Sequence, residues 1–327
     1  MDSSAPDAGI RTLAIPTPFA VGRVNCYLVE DDPLTLIDTG PNSGLSLDAM
    51  DVMLREAGHT IADLERIVVT HQHMDHLGLV DILARRSGAE VHALDLLAPW
   101  MATFGPSMEA DDRFAEEVMA RHGIPEELRL GLRALSQGFR AWGARADVTH
   151  ELHDGGTLDF AGRSLRVLHR PGHSPTDTVF HDAERGLLVG GDHLIKHISS
   201  NPLVSRPLDG STERPHALEI YLASLRKTHE MDLELVLAGH GEPVTDHRAL
   251  IDERFRGHER RADKLERLIR DHPQTAFDLA HAMWGNVAVT QAYLTLSEVL
   301  GHTDLLVAQG RVREVVEDGV VRFVAAA

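Results

Sequence analysis

The chain has 327 residues and carries 50 Asp and Glu against 32 Lys and Arg, a formal net charge of −18, with 21 His and a single Cys. A hydrophobic fraction of 43% with 25% charged residues belongs to a globular protein and excludes a disordered or fibrous chain. One cysteine excludes an intramolecular disulfide and a thiolate metal site, and the negative charge disfavours nucleic acid and anionic membranes as partners.

The opening segment, MDSSAPDAGIRTLAIPTPFA, holds Asp2, Asp7 and several prolines but no apolar run of signal-peptide length. No stretch reaches the roughly 18 apolar residues of a membrane helix. A cytoplasmic protein without membrane contact is therefore expected. Residues 25–30 and 34–37 read as short strands around the turn Asp31-Asp32-Pro33, and residues 44–56 as a helix. The buried-strand run 67–70 stops at a polar cluster, and a helix is predicted over 75–86, ending near Gly88. Further strands are expected at 90–93, 164–168, 178–181, 186–189 and 235–238, which makes a layered α/β protein with a mixed sheet.

Between residues 98 and 147 the strand signal vanishes. Helices are expected over 108–122 and 125–142, and the insertion carries Trp100, Met101, Phe104, Met108, Phe114, Met119, Phe139 and Trp142. This insertion suggests a lid lining an apolar substrate pocket, set against ordinary packing onto the body of the protein. After Asp246 a long amphipathic helix over 248–270 is followed by helical segments at 275–284 and 290–309 and a hairpin at 312–324. Three helices and a hairpin describe a winged helix. From Asp271 to Gly310 there is no Lys or Arg, so a phosphate backbone would find no cation there. A structural or dimerising role is expected, with a homodimer as the partner reading.

The polar cluster after the strand 67–70 is Thr70-His71-Gln72-His73-Met74-Asp75-His76. In an extended loop, residues two apart face the same side, so His71 and His73 can hold one ion. Asp75 and His76, at the turn into a helix, project another way and can hold a second. Three later strand-to-loop junctions carry His173 in Pro171-Gly172-His173, Asp192 in Gly191-Asp192 and His240 in Gly239-His240-Gly241, each with a glycine that permits a tight turn.

Together with Asp38 in Leu36-Ile37-Asp38-Thr39-Gly40, these segments resemble, in order, the hallmarks of the metallo-β-lactamase-fold superfamily. The resemblance covers residues 10–245 and implies an αββα sandwich with a two-metal site at one edge. A catalytic domain over 1–245 and a small winged-helix-like domain over 246–327 follow from it. It also implies that His71, His73 and His173 hold the first metal, that Asp75, His76 and His240 hold the second, and that Asp192 bridges them. Asp38 would orient the ligand loops by hydrogen bonds. Nitrogen and oxygen ligands suit zinc and admit iron or manganese. The reaction so implied is attack by a metal-bridging hydroxide, with Asp75 as the proton shuttle.

An acyl bond of a small, partly apolar molecule (thioester, ester or lactone) is the expected substrate. Endoribonuclease or other phosphodiesterase activity, and mononuclear-iron persulfide dioxygenase chemistry, are the alternatives. Lys196, near His193 and His197, suggests pairing with a substrate anion, against a plain solvated lysine. Tyr221 suggests a substrate-facing hydroxyl, against helix packing, and Cys26 reads as a small buried apolar residue.

Overall fold

The computed structural model describes residues 9–326, apart from the side chains of Ala288 and Thr290, so the reading around Asp2 and Asp7 lies outside the described residues. The chain divides into two compact units, one of Met1–Ser107, Phe139–Ser200 and Glu230–His247, the other of Met108–Gly138, Asn201–His229 and Arg248–Ala327.

In the first unit, strands β1 (Ile10–Ile15), β2 (Val24–Val29), β3 (Thr35–Ile37), β4 (Arg66–Val69), β5 (Glu90–Leu94) and β6 (His150–Leu152) form a six-stranded sheet in chain order. It is antiparallel from β1 to β3 and parallel from β3 to β6. Strands β7 (Thr157–Asp159), β8 (Ser164–His169), β9 (Thr178–Asp182), β10 (Leu187–Gly191) and β11 (Leu235–Ala238) form a second sheet in the order β11-β10-β9-β8-β7. Alternation along β8 turns Leu165 and Val167 inward and Ser164 and Arg166 outward. Tyr27, Val29, Ile37 and Val68 of the first sheet share one apolar cluster with Leu165, Val167, Phe180, Val189 and Leu237 of the second, so the sheets pack face to face.

Helix α1 (Gly44–Glu56) starts at Ser43, whose hydroxyl accepts the Ser46 amide, and buries Met50 and Leu54. The helix predicted over 75–86 is two helices, α2 (Met74–Leu77) and α3 (Val80–Ser87). Between them lies Gly78, where a Cβ would stand 2.3 Å from both the Asn42 amide nitrogen and the Trp142 carbonyl oxygen. The chain then runs through α4 (Ala98–Ala102), α5 (Phe104–Arg121) and α6 (Glu126–Phe139) before β6.

The second unit has its own core. Val118, Met119 and Ile124 from the insertion pack with residues of α8 (His247–Ile269), α9 (Ala276–Trp284), α11 (Ala292–Ala308) and the hairpin β12 (Val312–Glu317) and β13 (Val320–Ala325). The His122 ring lies parallel to that of Phe323 at 6.3 Å. Phe114, Leu128 and Leu132, partly buried, cover the same cluster, while Leu130 and Leu135 of α6 are exposed. Helix α7 (Ala217–His229) belongs to this unit, as does the short α10 (Val287–Thr290). No helix among the described residues is long and apolar enough to cross a membrane.

Candidate metal centre

Asp38 follows β3 with φ of 62°, a left-handed conformation that is uncommon for a residue with a side chain. Its amide donates to the Val68 carbonyl at 2.8 Å, which ties it to β4. One carboxylate oxygen accepts the Thr70 amide at 2.9 Å; the other accepts the Thr70 hydroxyl at 2.8 Å and His76 Nδ1 at 2.7 Å. With its proton committed to Asp38, the Thr70 hydroxyl accepts from His71 Nδ1 at 2.9 Å. One buried aspartate thereby fixes both tautomers: His71 and His76 each present Nε2 away from Asp38.

His71 Nε2 lies 3.0 Å from His73 Nδ1, which is also 2.9 Å from His173 Nε2. A single proton on His73 Nδ1 cannot serve both neighbours, so imidazole lone pairs converge on one point. On the far side, His240 Nδ1 donates to the Arg23 carbonyl at 2.8 Å, leaving Nε2 3.4 Å from Asp75 Oδ2. Asp192 stands between the groups, with Oδ2 3.4 Å from His173 Nε2 and 3.5 Å from His240 Nε2, and Oδ1 3.5 Å from His76 Nε2. Gly239 is dictated by this approach, because a Cβ there would stand 2.2 Å from Asp192 Oδ1.

His71, His73, His173 and Asp192 thus form one ligand-competent group and Asp75, His76 and His240 another. His76 Nε2, His240 Nε2 and Asp192 Oδ1 are buried with no hydrogen-bond partner among the described residues. Unsatisfied buried polar atoms cost about 1–3 kcal/mol each, and bound cations would offset that cost. The donor set, imidazole and carboxylate without thiolate, fits divalent transition metals.

Charge divides the two groups. Burial, reinforced by the neighbouring histidines, pushes His73 down to about 3 and His71 well below its ordinary value, so both are neutral near pH 7. Burial acts the same way on His76 and His240, but the carboxylates outweigh it: Asp192, Asp38 and Asp75 hold His76 well above its ordinary value, and Asp192 and Asp75 hold His240 at about 9. Although burial opposes ionisation of Asp75 and Asp192, the same histidines keep both carboxyls below the usual carboxylate range.

A family model described as the metallo-β-lactamase superfamily matches residues 20–240. The chain belongs to that superfamily. It is 32% identical over 311 residues to a probable metallo-hydrolase of Bacillus subtilis, spanning 95% of this chain and 96% of the relative. Crystal structures of a metallo-β-lactamase family protein from Thermus thermophilus and a β-lactamase domain protein from Burkholderia ambifaria superpose with TM-scores of 0.79 and 0.81. Each is 27% identical, over 97% of this chain and 98% and 92% of theirs respectively. A 64-residue stretch, 19% of this chain, is 39% identical to 23% of an acyl-coenzyme A thioesterase from Bos taurus. The face-to-face mixed sheets are the superfamily's fold, and the chain is a metal-dependent hydrolase.

Residues that the motif reading leaves out support the superfamily's loops here. Thr70 relays Asp38 to His71, and Asp177, 3% exposed, accepts the amide and hydroxyl of Ser174 beside His173. Burial raises Asp177 to about 6 despite His173 and those hydrogen bonds. Lys196 pairs with Glu242 at 2.6 Å, linking the stretch after Asp192 to that after His240. Tyr221 is fully buried in α7, its ring edge-on to His258 at 6.5 Å, and Cys26 is fully buried in β2.

Proposed function

We propose that this hydrolase is binuclear and cleaves an acyl bond, whether thioester, ester or lactone, in small, partly apolar substrates. In this reading His71, His73 and His173 hold one ion, Asp75, His76 and His240 the other, and Asp192 lies between both. The observation that carries it is the set of 3.4–3.5 Å approaches of Asp192 to His76, His173 and His240, one carboxylate facing ligands of both groups. Two divalent ions there, zinc by default with iron or manganese as alternatives, would supply Lewis acidity and a lowered pKa for a water ligand.

The chain's own groups supply the rest. Asp38 and Thr70 hold the imidazoles in the tautomers that ligation needs, and Asp75 is the proton carrier toward the leaving thiol or alcohol. Hydrolysis forms a bond from water oxygen to the acyl carbon and breaks the bond to sulfur or oxygen, which takes up the proton that Asp75 delivers. The acyl class is supported by the stretch similar to a thioesterase and by a charge of −18, which repels polyanionic RNA. Residues 246–327, from α8 to β13, are read as a winged-helix-like module with a structural or homodimerising role, and the compartment as the cytoplasm.

The test is a parallel screen of the metallated protein on acyl-thioesters, aryl esters, lactones and single-stranded RNA, with Asp75→Ala as the blank. Acyl hydrolysis that disappears in the blank is expected. RNA cleavage that disappears in the blank, or oxygen consumption on a persulfide, would overturn the reading.

A further inference from the structure

Strand β2 does more than join two sheet neighbours. At its start it runs against the 238–241 loop: Val24 bridges His240 in antiparallel fashion, and the Asn25 amide donates to the Gly239 carbonyl at 2.7 Å. The Asn25 side chain then spends both hydrogens of Nδ2 on the same loop, on the Ala238 and Gly241 carbonyls, each at 2.9 Å. The Tyr27 hydroxyl donates to the Ala238 carbonyl at 2.5 Å. Asn25 is 6% exposed, so no water replaces these donors readily.

Carbonyls of residues 238, 239 and 241 therefore flank His240 and converge on one asparagine. Without the Nδ2 donors the Gly241 carbonyl loses this partner and the buried Ala238 carbonyl keeps only Tyr27, which loosens the loop on either side of His240. The loop's geometry leaves little slack. His240 Nε2 is 3.4 Å from Asp75 Oδ2, and Gly239 lies close enough to Asp192 that even a methyl would collide.

We propose that Asn25 is a positioning residue that sets metal affinity at the Asp75, His76 and His240 group alone. The inference rests on the ligand roles assigned above. Its selectivity comes from the separate anchoring of the other group's histidines: His71 is held through Thr70 and Asp38, and the His173 loop by Asp177, while Asp192 faces both groups and is shared. Neither anchor touches β2 in the hydrogen-bond network. An aspartate at position 25 keeps the shape but offers acceptors to carbonyls that need donors.

The test is cobalt(II) titration of the metal-free full chain, followed by its d–d absorption and by metal counting after desalting, in the wild type, Asn25→Asp, Asn25→Ser and His240→Ala. The wild type should bind two equivalents. Both Asn25 variants should keep the first equivalent with wild-type affinity and weaken the second about 10–100-fold, as loss of a ligand's supporting hydrogen bonds does. The retained first equivalent reports an intact fold, which a merely structural role would not spare. Two equivalents at wild-type affinity, parallel loss of both, or failure of both variants to fold cooperatively would overturn the inference. Two equivalents retained in His240→Ala would instead overturn the ligand set on which it rests.

Discussion

Two buried histidine clusters, both with ligand atoms close enough to share an ion, place their protons and neighbouring charges differently. In the first unit, His73 Nδ1 faces His71 Nε2 and His173 Nε2 at 3.0 and 2.9 Å, with ring centroids 4.6 Å apart in both pairs. In the second unit, His258 Nδ1 faces His302 Nε2 at 3.1 Å, with centroids 5.2 Å apart, and Glu298 lies beside them. The C-terminal rings are tilted by 32° to each other, and their protons form one line: His258 donates to His302, whose Nδ1 donates to the Glu298 carbonyl at 2.6 Å. The first cluster has no such solution and is ringed by Asp38, Asp75 and Asp192. The second has Arg254 and Arg261 near His258, and Arg261 engages Glu298 at 3.1 Å. Counting histidines does not find a metal site; converging lone pairs beside ionised carboxylates do.

The contrast breaks most readily at Asp75. Asp75→Ala should lower turnover by about 10²–10⁴-fold with little change in the thermal midpoint of the metal-free protein, measured by steady-state assay and melting. Wild-type turnover would show that the second group is dispensable. Asp38→Asn should weaken metal binding about 10–100-fold in a chelator competition, since the amide cannot accept from Thr70 and His76 at once with the same strength.

His258→Ala should do the reverse. Turnover and metal content stay at the wild-type level while stability falls by about 1–3 kcal/mol in a urea melt, because His302 loses its buried partner. The response to acid separates the two units in another way. Burial, with Arg214 and Arg121 near His122 and with His302 and Arg261 near His258, pushes both histidines down to about 3. Unfolded, they titrate near about 6.5, so the unfolded chain binds the extra protons as pH falls. This contribution to stability is complete above about pH 6.5 and is lost progressively toward pH 3. His122→Phe should flatten that acid limb in melts across pH, and an unchanged limb would assign it elsewhere.

How much the sequence reveals follows from the range of each interaction. The run from His71 to His76 is legible because four potential ligands fall within six residues after a strand. His173, Asp192 and His240 are singly ambiguous and gain meaning only as an ordered set. Thr70 is visible only as the first residue of the cluster, and Asp177 and Asn25 carry no signal, because what all three do depends on partners that only folding brings near; Asn25 meets Ala238 across 213 positions. Strands β6 and β7 are three residues each, too short to show a period, and the Gly78 break depends on Asn42 and Trp142. Helices α5 and α6 are legible as helical stretches, but the core that α5 shares with α8, α9 and α11 is a tertiary fact.

Metal counting on the purified, reloaded chain tests the central claim most directly. The account predicts about two equivalents in the wild type, two in His258→Ala and fewer in Asp75→Ala. A single tightly bound iron in the wild type, or an equivalent lost on changing His258, would contradict it.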